Sequence, residues 1–338
     1  AMKIFGEGPI PSRIMLVGDF PSDSDERSRR PFGGTSGQEL NRLLHEAGIM
    51  RSECYVTYAH KTTAKSNQLS SLVAAKKKDI TPAHVKMRDL YVLPSVVEGY
   101  TELLTEIEMV QPNIIIPLGT LALWALTGNW SVAKWRGSQL EANGIKVIPT
   151  YPPSQVFKQF ELRGIIINDL KRAKRHAQGK HYTNIPSWNF IVRPTLQQTL
   201  DTLKMLRQRM DQEPTWIEFD LETFITSKHI RCAGIGWSRT EAICIPFTDG
   251  HSPYWPSEEE EGLVVYELYK TLTHPNAKVR GQNLLFDCQY THRYWHFIPR
   301  VAHDTMISQH SCFSALPKGL DFLASMYCDY YSYWKEDK

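Results

Sequence analysis

The chain has 338 residues, of which 42% are hydrophobic and 22% are charged. This length corresponds to about two domains at ~100–200 residues each, and the composition excludes an intrinsically disordered chain. No apolar stretch approaches the ~18 residues of a membrane span, and the N-terminus lacks a signal peptide, so we expect a cytoplasmic protein without a membrane partner. The six cysteines show no metal-ligand spacing, which indicates free thiols in a reducing compartment.

The net charge of +3 conceals an asymmetry between the two halves of the chain. Residues 1–180 carry 24 lysines and arginines against 17 acidic residues, whereas residues 181–338 carry 15 against 19. A basic half beside an acidic half is typical of a phosphate-binding surface next to a carboxylate-rich site. A charged surface without such a role fits the same numbers.

The first half alternates predicted strands and helices. Apolar runs predict strands at residues 13–18, 54–58, 113–119 and 146–150, and periodic stretches predict helices at residues 37–47, 82–109, 121–127 and 169–176. Such alternation is typical of a parallel sheet flanked by helices. Residues 177–187 lack periodicity, so we predict one domain at 1–178, a linker at 179–188 and a second domain at 189–338.

The second half begins with a predicted helix, and strands then follow in succession. The predicted helix covers residues 196–210, and the strands cover residues 215–220, 232–237 and 242–246. An acidic loop at 257–261, a helix, a strand at 278–281 and a helix from Asn283 complete the pattern. This order predicts a mixed sheet with helices on its faces.

Two carboxylates lie at the end of the strand at 215–220. Asp220 and Glu222 are two residues apart, and therefore project from the same side of a strand. Asn283 and Asp287 are four apart, which places both on one face of a helix, where Asp287 can join the first two residues in a metal site and Asn283 can contact a nucleotide. The alternative is that Asn283 caps a helix and Asp287 is solvated.

Together these residues resemble the proofreading 3′→5′ exonuclease domain of family A DNA polymerases. The resemblance runs from about residue 188 to the end and includes a DxE motif, an NxxxD motif and later stretches at residues 303–307 and 319–327. It implies an RNase H-like fold in which Asp220, Glu222 and Asp287 are catalytic residues and bind Mg²⁺ or Mn²⁺. The implied reaction hydrolyses the terminal phosphodiester and releases nucleoside monophosphates.

The family carries a fourth metal-binding Asp, preceded by a Tyr, tens of residues beyond the 319–327 stretch. The sequence ends at Lys338, before such a motif, so we expect a C-terminally incomplete exonuclease domain, with a polymerase domain C-terminal to this chain. The resemblance makes Asp304 a structural residue. We further expect Trp216 and Glu218 to lie off the catalytic face.

The first half contains an ordered series of motifs. They are Gly-Asp-Phe-Pro after the first strand, Arg-Pro-Phe-Gly-Gly before the first long helix, and a late Thr-Tyr-Pro-Pro stretch, at residues 18–21, 30–34 and 150–153. Over about residues 6–176 they resemble the uracil-DNA glycosylase superfamily, nearest its family 4 and 5 branches. The resemblance implies a parallel-sheet α/β/α fold and a base pocket with Phe32 as the stacking floor, although Phe32 can equally be a core residue.

Several positions of that pocket depart from the family pattern. Tyr58 replaces the Asn that reads uracil, Pro152 replaces the late His, and Phe20 replaces a water-activating Asp, while Asp19 keeps a carboxylate one position earlier. Pro donates no hydrogen bond, so we expect uracil excision to be absent. Cys54 is the only cysteine in residues 1–180, so no iron–sulfur cluster is expected.

Clustered cations on the first half are candidates for binding DNA phosphates. They are Arg27, Arg29, Arg30, Lys171 and Lys174. Clusters of this kind bind phosphate without reading sequence, and a merely solvated face is the alternative.

The resulting hypothesis is a part of a phage DNA polymerase in the host cytoplasm. A glycosylase-like module without excision activity would bind DNA, and the exonuclease would act on single strands or primer 3′ ends. Two alternatives remain open: an inactive architectural DNA-binding fragment, and a repair enzyme that excises a modified base through a pocket containing Tyr58 and Asp19.

Overall fold

The computed structural model describes residues 2–250 and 252–335, which form two compact units. One unit comprises the chain up to residue 185 together with the C-terminal segment from residue 324, and the other comprises residues 186–323. The predicted linker includes the boundary, but the predicted second domain wrongly includes residues 324–335. These residues belong to the first unit because Arg172, buried in it, donates from Nη2 to the carbonyls of Ser325 and Cys328, each at 2.8 Å.

The first unit is built on a five-stranded sheet with helices on both faces. Its strands are β1 (Ile14–Gly18), β2 (Cys54–Tyr58), β3 (Val73–Ala74), β4 (Val85–Met87), β5 (Leu90–Val92), β6 (Ile114–Leu118), β7 (Leu140–Ala142) and β8 (Ile145–Val147). Its helices are α1 (Asp23–Ser28), α2 (Thr35–Glu46), α3 (Pro94–Val110), α4 (Thr120–Thr127), α5 (Val132–Trp135) and α6 (Leu162–Arg175).

The main sheet has the order β2-β1-β6-β8-β7, and all pairings are parallel except that of β7 with β8. Every residue of β1, β2 and β6 is buried, as expected for parallel strands covered on both faces. Alternate residues contribute to two separate cores, so that Leu16 packs with α2 and α6 while Val17 packs with α3 and α4. The predicted parallel-sheet class is therefore confirmed.

The predicted long helix at residues 82–109 is wrong in its first part. Residues 85–92 form the hairpin of β4 and β5, which joins β3 in a small antiparallel sheet. The helix α3 begins only at Pro94, where a proline at the first helical position suits an N-terminus. Periodicity extended the prediction across this proline because Met87, Leu90 and Tyr91 have the i, i+3, i+4 spacing of a helical face.

The second unit is built on a six-stranded mixed sheet. Its strands are β9 (Asn189–Val192), β10 (Thr215–Thr223), β11 (Ile230–Gly236), β12 (Glu241–Pro246), β13 (Thr248–Asp249), β14 (Ser252–Pro253), β15 (Ala277–Gly281) and β16 (Val301–Asp304). Its helices are α7 (Leu196–Gln212), α8 (Glu258–Leu272), α9 (Leu284–Trp295) and α10 (Thr305–Cys312); α11 (Leu320–Tyr327) crosses the boundary to the first unit.

The mixed sheet has the order β16-β15-β10-β11-β12-β9, and β10 lies in its middle. The neighbours β10, β11 and β12 are antiparallel, whereas β15 runs parallel to β10. One face of the sheet is covered by α7 and α8, whose Leu206 and Leu268 are buried with Ile217 and Phe219 of β10. The predicted mixed sheet is thus confirmed. The acidic stretch predicted as a loop is instead the first turn of α8, with Ser257 as its N-cap.

No helix among the residues that the structure describes is both long and apolar enough to cross a lipid bilayer.

Candidate nuclease site and glycosylase-like pocket

The alternation of β10 determines where its carboxylates lie. Phe219 and Leu221 are buried in the core. Asp220 and Glu222, which alternate with them along the strand, project from the opposite, exposed face. The sheet brings the two carboxylates side by side, as residues i and i+2 of a strand must be. The pKa of Asp220 is raised, first by desolvation and then by the negative charge of Glu222.

Trp216 and Glu218 lie on this same face, contrary to the sequence-based expectation. The physical reason is the two-residue period, since residues 216, 218, 220 and 222 all have the same parity. Trp216 is 42% exposed, and the guanidinium of Arg280 lies 5.1 Å from its ring centroid. Arg280 also donates from Nε to the carboxylate of Glu218 at 2.8 Å. Among the described residues, Asp220 and Glu222 are therefore the two carboxylates of β10 that form no ion pair.

Asp287 lies in the first turn of α9 and is 2% exposed. Its Oδ1 accepts a hydrogen bond of 2.7 Å from the backbone N–H of Leu221, the residue between Asp220 and Glu222. Burial raises the pKa of Asp287 to about 7, and the charges of Asp220 and Asp304 add to the shift. The solvated Asp287 of the alternative interpretation is therefore wrong, and this side chain is anchored beside the strand that carries the other two carboxylates.

Asn283 does not share a helical face with Asp287. It precedes α9 in a left-handed conformation with φ 58°, and its exposed side chain makes no capping hydrogen bond. The cap is instead Asp304, which accepts from the backbone N–H groups of Asn283 at 3.1 Å, Leu284 at 2.7 Å and Met306 at 2.9 Å. Asp304 thus fixes the start of both α9 and α10, and Asn283 is left with its carboxamide facing solvent.

The three predicted carboxylates offer oxygen ligands, which are the donors that Mg²⁺ prefers. Their raised pKa values also show that Asp220 and Asp287 lack a compensating positive charge. In residues 2–250 and 252–335, however, no three His, Cys, Asp or Glu side chains approach closely enough to hold a metal ion. The donor set fits the ion chemically, but among the described residues it is not preassembled into a three-ligand site.

In the first unit, a cavity of about 380 Å³ contains all five residues predicted for the glycosylase-like pocket. Its wall includes Asp19, Phe20, Phe32, Tyr58 and Pro152. Phe20 and Asp19 follow β1, Tyr58 ends β2, and Pro152 follows the parallel bridge between Leu118 and Thr150. The parallel strands therefore bring these residues to one edge of the sheet, as parallel-sheet architecture does with ligand sites.

The ring of Tyr58 stacks on Phe32, with centroids 4.9 Å apart and planes inclined by 22°. Its hydroxyl donates to Oδ2 of Asp25 at 2.8 Å and accepts from the backbone N–H of Phe32 at 3.0 Å. A side chain at Gly18 would have its Cβ 2.7 Å from both rings, so only glycine fits beneath them. One face of Phe32 is thus covered by the protein's own aromatic ring, and the Tyr58 hydroxyl is fully engaged.

Asp25 is a pocket residue that the sequence analysis missed. It is buried, and it also accepts hydrogen bonds at 2.8 Å from the backbone N–H groups of Ser22 and Gly33. The signal for it was the Ser-x-x-acid spacing from Ser22 to Asp25, which is a capping box at the start of α1.

Asp19 is held at the N-terminus of α4, where its Oδ1 accepts from the backbone N–H of Ala122 at 2.8 Å. Desolvation raises its pKa to about 7, against the opposing effect of N–H groups from Thr120 to Ala122. Gly119, with φ 133°, allows this approach, because a Cβ there would lie within 2.4–2.5 Å of the Asp19 carboxyl. Asp19 is therefore a carboxyl group whose pKa lies well above its ordinary value, because desolvation outweighs the backbone hydrogen bonds.

The predicted DNA-binding cations are exposed, with one qualification. Arg27, Arg29, Lys171 and Lys174 are exposed, whereas Arg30 forms two hydrogen bonds of 3.0 Å with the carboxylate of Glu7. Arg30 therefore offers less free charge to a phosphate than its exposure implies.

Residues 5–174 match the family described as the uracil DNA glycosylase superfamily. A type-4 uracil-DNA glycosylase of Thermotoga maritima is 31% identical over 176 residues, covering 51% of this chain and 81% of that protein. The DNA polymerase of Bacillus phage SP01 is 28% identical over 305 residues, covering 84% of this chain and 31% of the polymerase. The chain thus spans about a third of the length of that polymerase. Among solved structures, Escherichia coli RNase D has a TM-score of 0.31 at 15% identity, covering 42% of this chain and 34% of RNase D.

These matches confirm the resemblance of the first half to the glycosylases, and they add a similarity to a phage DNA polymerase that continues through both units. The glycosylase match covers half of the chain, and it includes the strands and loops that form the cavity around Phe32 and Tyr58. Through its first unit, the chain belongs to the uracil DNA glycosylase superfamily.

Proposed function

We propose that the chain is part of a DNA-directed DNA polymerase of a phage, in which the first unit binds DNA without excising uracil and the second is a metal-dependent 3′→5′ exonuclease. The similarity to the phage polymerase supports this proposal, because it extends over 84% of the chain and therefore includes residues of both units in the same order along the sequence. We propose further that the polymerase domain lies C-terminal to these residues and that the protein acts in the cytoplasm of the host cell.

The observation that carries the nuclease proposal is the arrangement around β10. Asp220 and Glu222 project together from an exposed strand face, and the buried Asp287 is anchored by the N–H group between them. Mg²⁺ or Mn²⁺, when bound by these carboxylates, would act as a Lewis acid on the terminal phosphodiester and supply the attacking hydroxide. The open face around Asp220 and Glu222 gives the 3′ end of a single strand or primer access to the carboxylates, and the exposed amide of Asn283 is available to a nucleotide.

The test is digestion of 3′-labelled single-stranded DNA with Mg²⁺ or Mn²⁺. We expect a ladder of shortened products from the native chain and none from Asp220→Ala, Glu222→Ala. Asp201→Asn is the matched control, because this exposed carboxylate lies on α7, which packs against the opposite face of the sheet. Persistent digestion by the double variant would contradict the assignment. Digestion neither by this chain nor by a longer polymerase that contains it would favour the architectural DNA-binding alternative.

The proposal that the first unit does not excise uracil depends on Tyr58. Its ring covers one face of Phe32, and its hydroxyl is engaged with Asp25 and the backbone, so neither a stacking partner nor a free polar group is offered at this position. Pro152, which also lines the cavity, has no N–H to donate. We expect no uracil release from uracil-containing DNA, whereas release by the native chain would refute the proposal.

Asp19 favours one second candidate, the excision of a modified base. A carboxyl group with a pKa of about 7 in a cavity of about 380 Å³ suits general acid–base chemistry. Release of a free base from DNA that contains modified pyrimidines, abolished by Asp19→Asn, would support this candidate. Unchanged release by Asp19→Asn would reject the role of that residue.

A further inference from the structure

Trp216 and Lys278 are two exposed side chains on the open face of the mixed sheet, the face from which Asp220 projects. They are register partners on the parallel strands β10 and β15, so their side chains point to the same side of the sheet. The ammonium of Lys278 lies 5.5 Å from the centroid of the Trp216 ring, which is within the range of a cation–π contact. Although Arg280 also lies over this ring, Trp216 is 42% exposed, so a ligand can reach it.

The charge of Lys278 is not neutralised by a carboxylate. Arg280, two residues further along β15, is paired with Glu218, whereas within the part of the chain that the structure describes no carboxylate lies within ion-pair distance of Lys278. The half of the chain that contains Lys278 carries 15 basic against 19 acidic residues. The pair formed by Trp216 and Lys278 is therefore a cationic and aromatic spot in an acidic half, and it complements an anion that carries a planar ring.

The position of this pair along β10 relates it to the candidate nuclease site. Trp216 precedes Asp220 by four residues on the same exposed face, which is about 13 Å at ~3.3 Å per residue. At about 3.4 Å per nucleotide in a stacked strand, this distance corresponds to about four nucleotides, and to fewer in an extended strand. A single strand whose terminal phosphodiester lies at Asp220 and Glu222 can therefore place a base from behind its 3′ end on the ring.

We propose that Trp216 and Lys278 form a subsite for single-stranded DNA, in which a base upstream of the 3′ end stacks on the indole and the ammonium binds a neighbouring backbone phosphate. Stacking on aromatic rings and contacts with phosphates bind single strands without reading their sequence. The subsite rests on the proposed exonuclease function, because the 3′ end is taken to lie at Asp220 and Glu222. It favours substrates of several nucleotides, since a dinucleotide at the carboxylates does not extend to Trp216.

The test is photo-crosslinking of the full chain to single-stranded DNA that carries one 5-iododeoxyuridine and phosphorothioate linkages at the 3′ end, which slow digestion. We expect a cross-linked peptide that contains Trp216 when the reactive base is one of the second to fifth from the 3′ end, and no such peptide when it is the terminal base. Trp216→Leu should abolish this cross-link. Trp188→Leu is the matched control, because Trp188 is 46% exposed and precedes β9 at the edge of the sheet.

Digestion kinetics supply a second measurement. For a strand of several nucleotides, Trp216→Ala should raise KM roughly ten-fold and leave kcat unchanged, since a stacked base contributes a factor of that order to binding. For a dinucleotide, the same substitution should leave KM unchanged. Lys278→Gln should lower the magnitude of the slope of log K for DNA binding against log salt concentration by about 0.7, the value for one phosphate of a single strand.

Three results would overturn the subsite. They are cross-linking of the strand without any peptide that contains Trp216, an equal loss of cross-linking in Trp216→Leu and Trp188→Leu, and an equal rise in KM for the dinucleotide and the longer strand. The two proposals fail separately. Digestion that is insensitive to Trp216→Ala would overturn the subsite and leave the exonuclease intact, whereas a cross-link to Trp216 without any digestion would support the subsite and contradict the exonuclease.

Discussion

The hydroxyl of Tyr58 can be removed without removing its ring, which makes Tyr58→Phe a direct probe of the hydrogen-bond network that lines the glycosylase-like pocket. The substitution removes a 2.8 Å hydrogen bond to Asp25, and it leaves the backbone N–H of Phe32 without its 3.0 Å acceptor. The carboxyl of Asp25 keeps its bonds to Ser22 and Gly33. The unpaired N–H of Phe32 has no such second partner in this network.

The magnitude follows from these two losses. A hydrogen bond to a carboxyl group contributes about 1.5–3 kcal/mol, and an orphaned buried donor costs about 1–3 kcal/mol. Because the two terms share one hydroxyl, they are not additive, and we expect Tyr58→Phe to lower the free energy of unfolding of the first unit by about 2–4 kcal/mol. At a slope of about 2 kcal/mol per M this lowers the urea midpoint by roughly 1–2 M.

The assay is hydrogen exchange of the β1 and β2 amides as urea increases, since a two-unit chain need not unfold in one step. Tyr55→Phe is the matched control, because Tyr55 lies on the same strand and its hydroxyl is 3.4 Å from the carboxylate of Glu106. Glu106 also binds Lys61 and Thr57, so this control should cost less than about 1 kcal/mol. A loss no larger for Tyr58→Phe than for the control would refute the reasoning.

Three further predictions concern other parts of the first unit. The raised pKa of Asp19 means that its stabilising contribution is full below pH ~4 and is lost as pH rises through about 7. At about 1.4 kcal/mol per pH unit, the native chain should lose roughly 3 kcal/mol of stability from this group between pH 5 and pH 8, and Asp19→Asn should remove that loss, measured as urea midpoints at the two pH values. Asp169→Ala leaves the buried guanidinium of Arg136 without its anion and should lower the free energy of unfolding by about 3–5 kcal/mol. Because Arg136 also donates to Ser325, amide exchange in residues 324–335 should become faster. The double variant Lys171→Gln, Lys174→Gln should bind DNA with a shallower salt dependence. When log K is plotted against log salt concentration, the slope should fall in magnitude by about 1.4–1.8, whereas Lys204→Gln on α7 should leave the slope unchanged.

The fold was predictable from the sequence wherever one pattern determined one element. The buried strands β1, β2 and β6 are short apolar runs between turn residues, and β10 to β12 are alternating runs in succession. The hairpin of β4 and β5 was not predictable, because its apolar residues fit a helical spacing as well as a strand. The position of residues 324–335 was also hidden, since it depends on contacts between residues more than 150 positions apart, such as Arg172 with Ser325.

The candidate sites show a different limit. Asp220 and Glu222 were placed on one face by the strand period alone, but the same period should have placed Trp216 and Glu218 there too. Asp287 was identified, while its burial and its bond to the N–H of Leu221 depend on how α9 packs against β10. A sequence period gives the face on which a residue lies and not the direction in which a neighbouring element turns.

The side chains around Tyr58 in the first unit form one hydrogen-bonded network. A tyrosine at position 58 requires Gly18 beneath the ring, Asp25 to accept from its hydroxyl, and the left-handed Phe32 to donate to it. Around Tyr58, the hydroxyl, the carboxylate of Asp25 and the backbone N–H of Phe32 are hydrogen-bonded to one another, so that none of these three groups is left unpaired. Because Phe32 and Asp25 are close to Arg27 and Arg29 along the chain, the same network fixes the backbone that carries these cations.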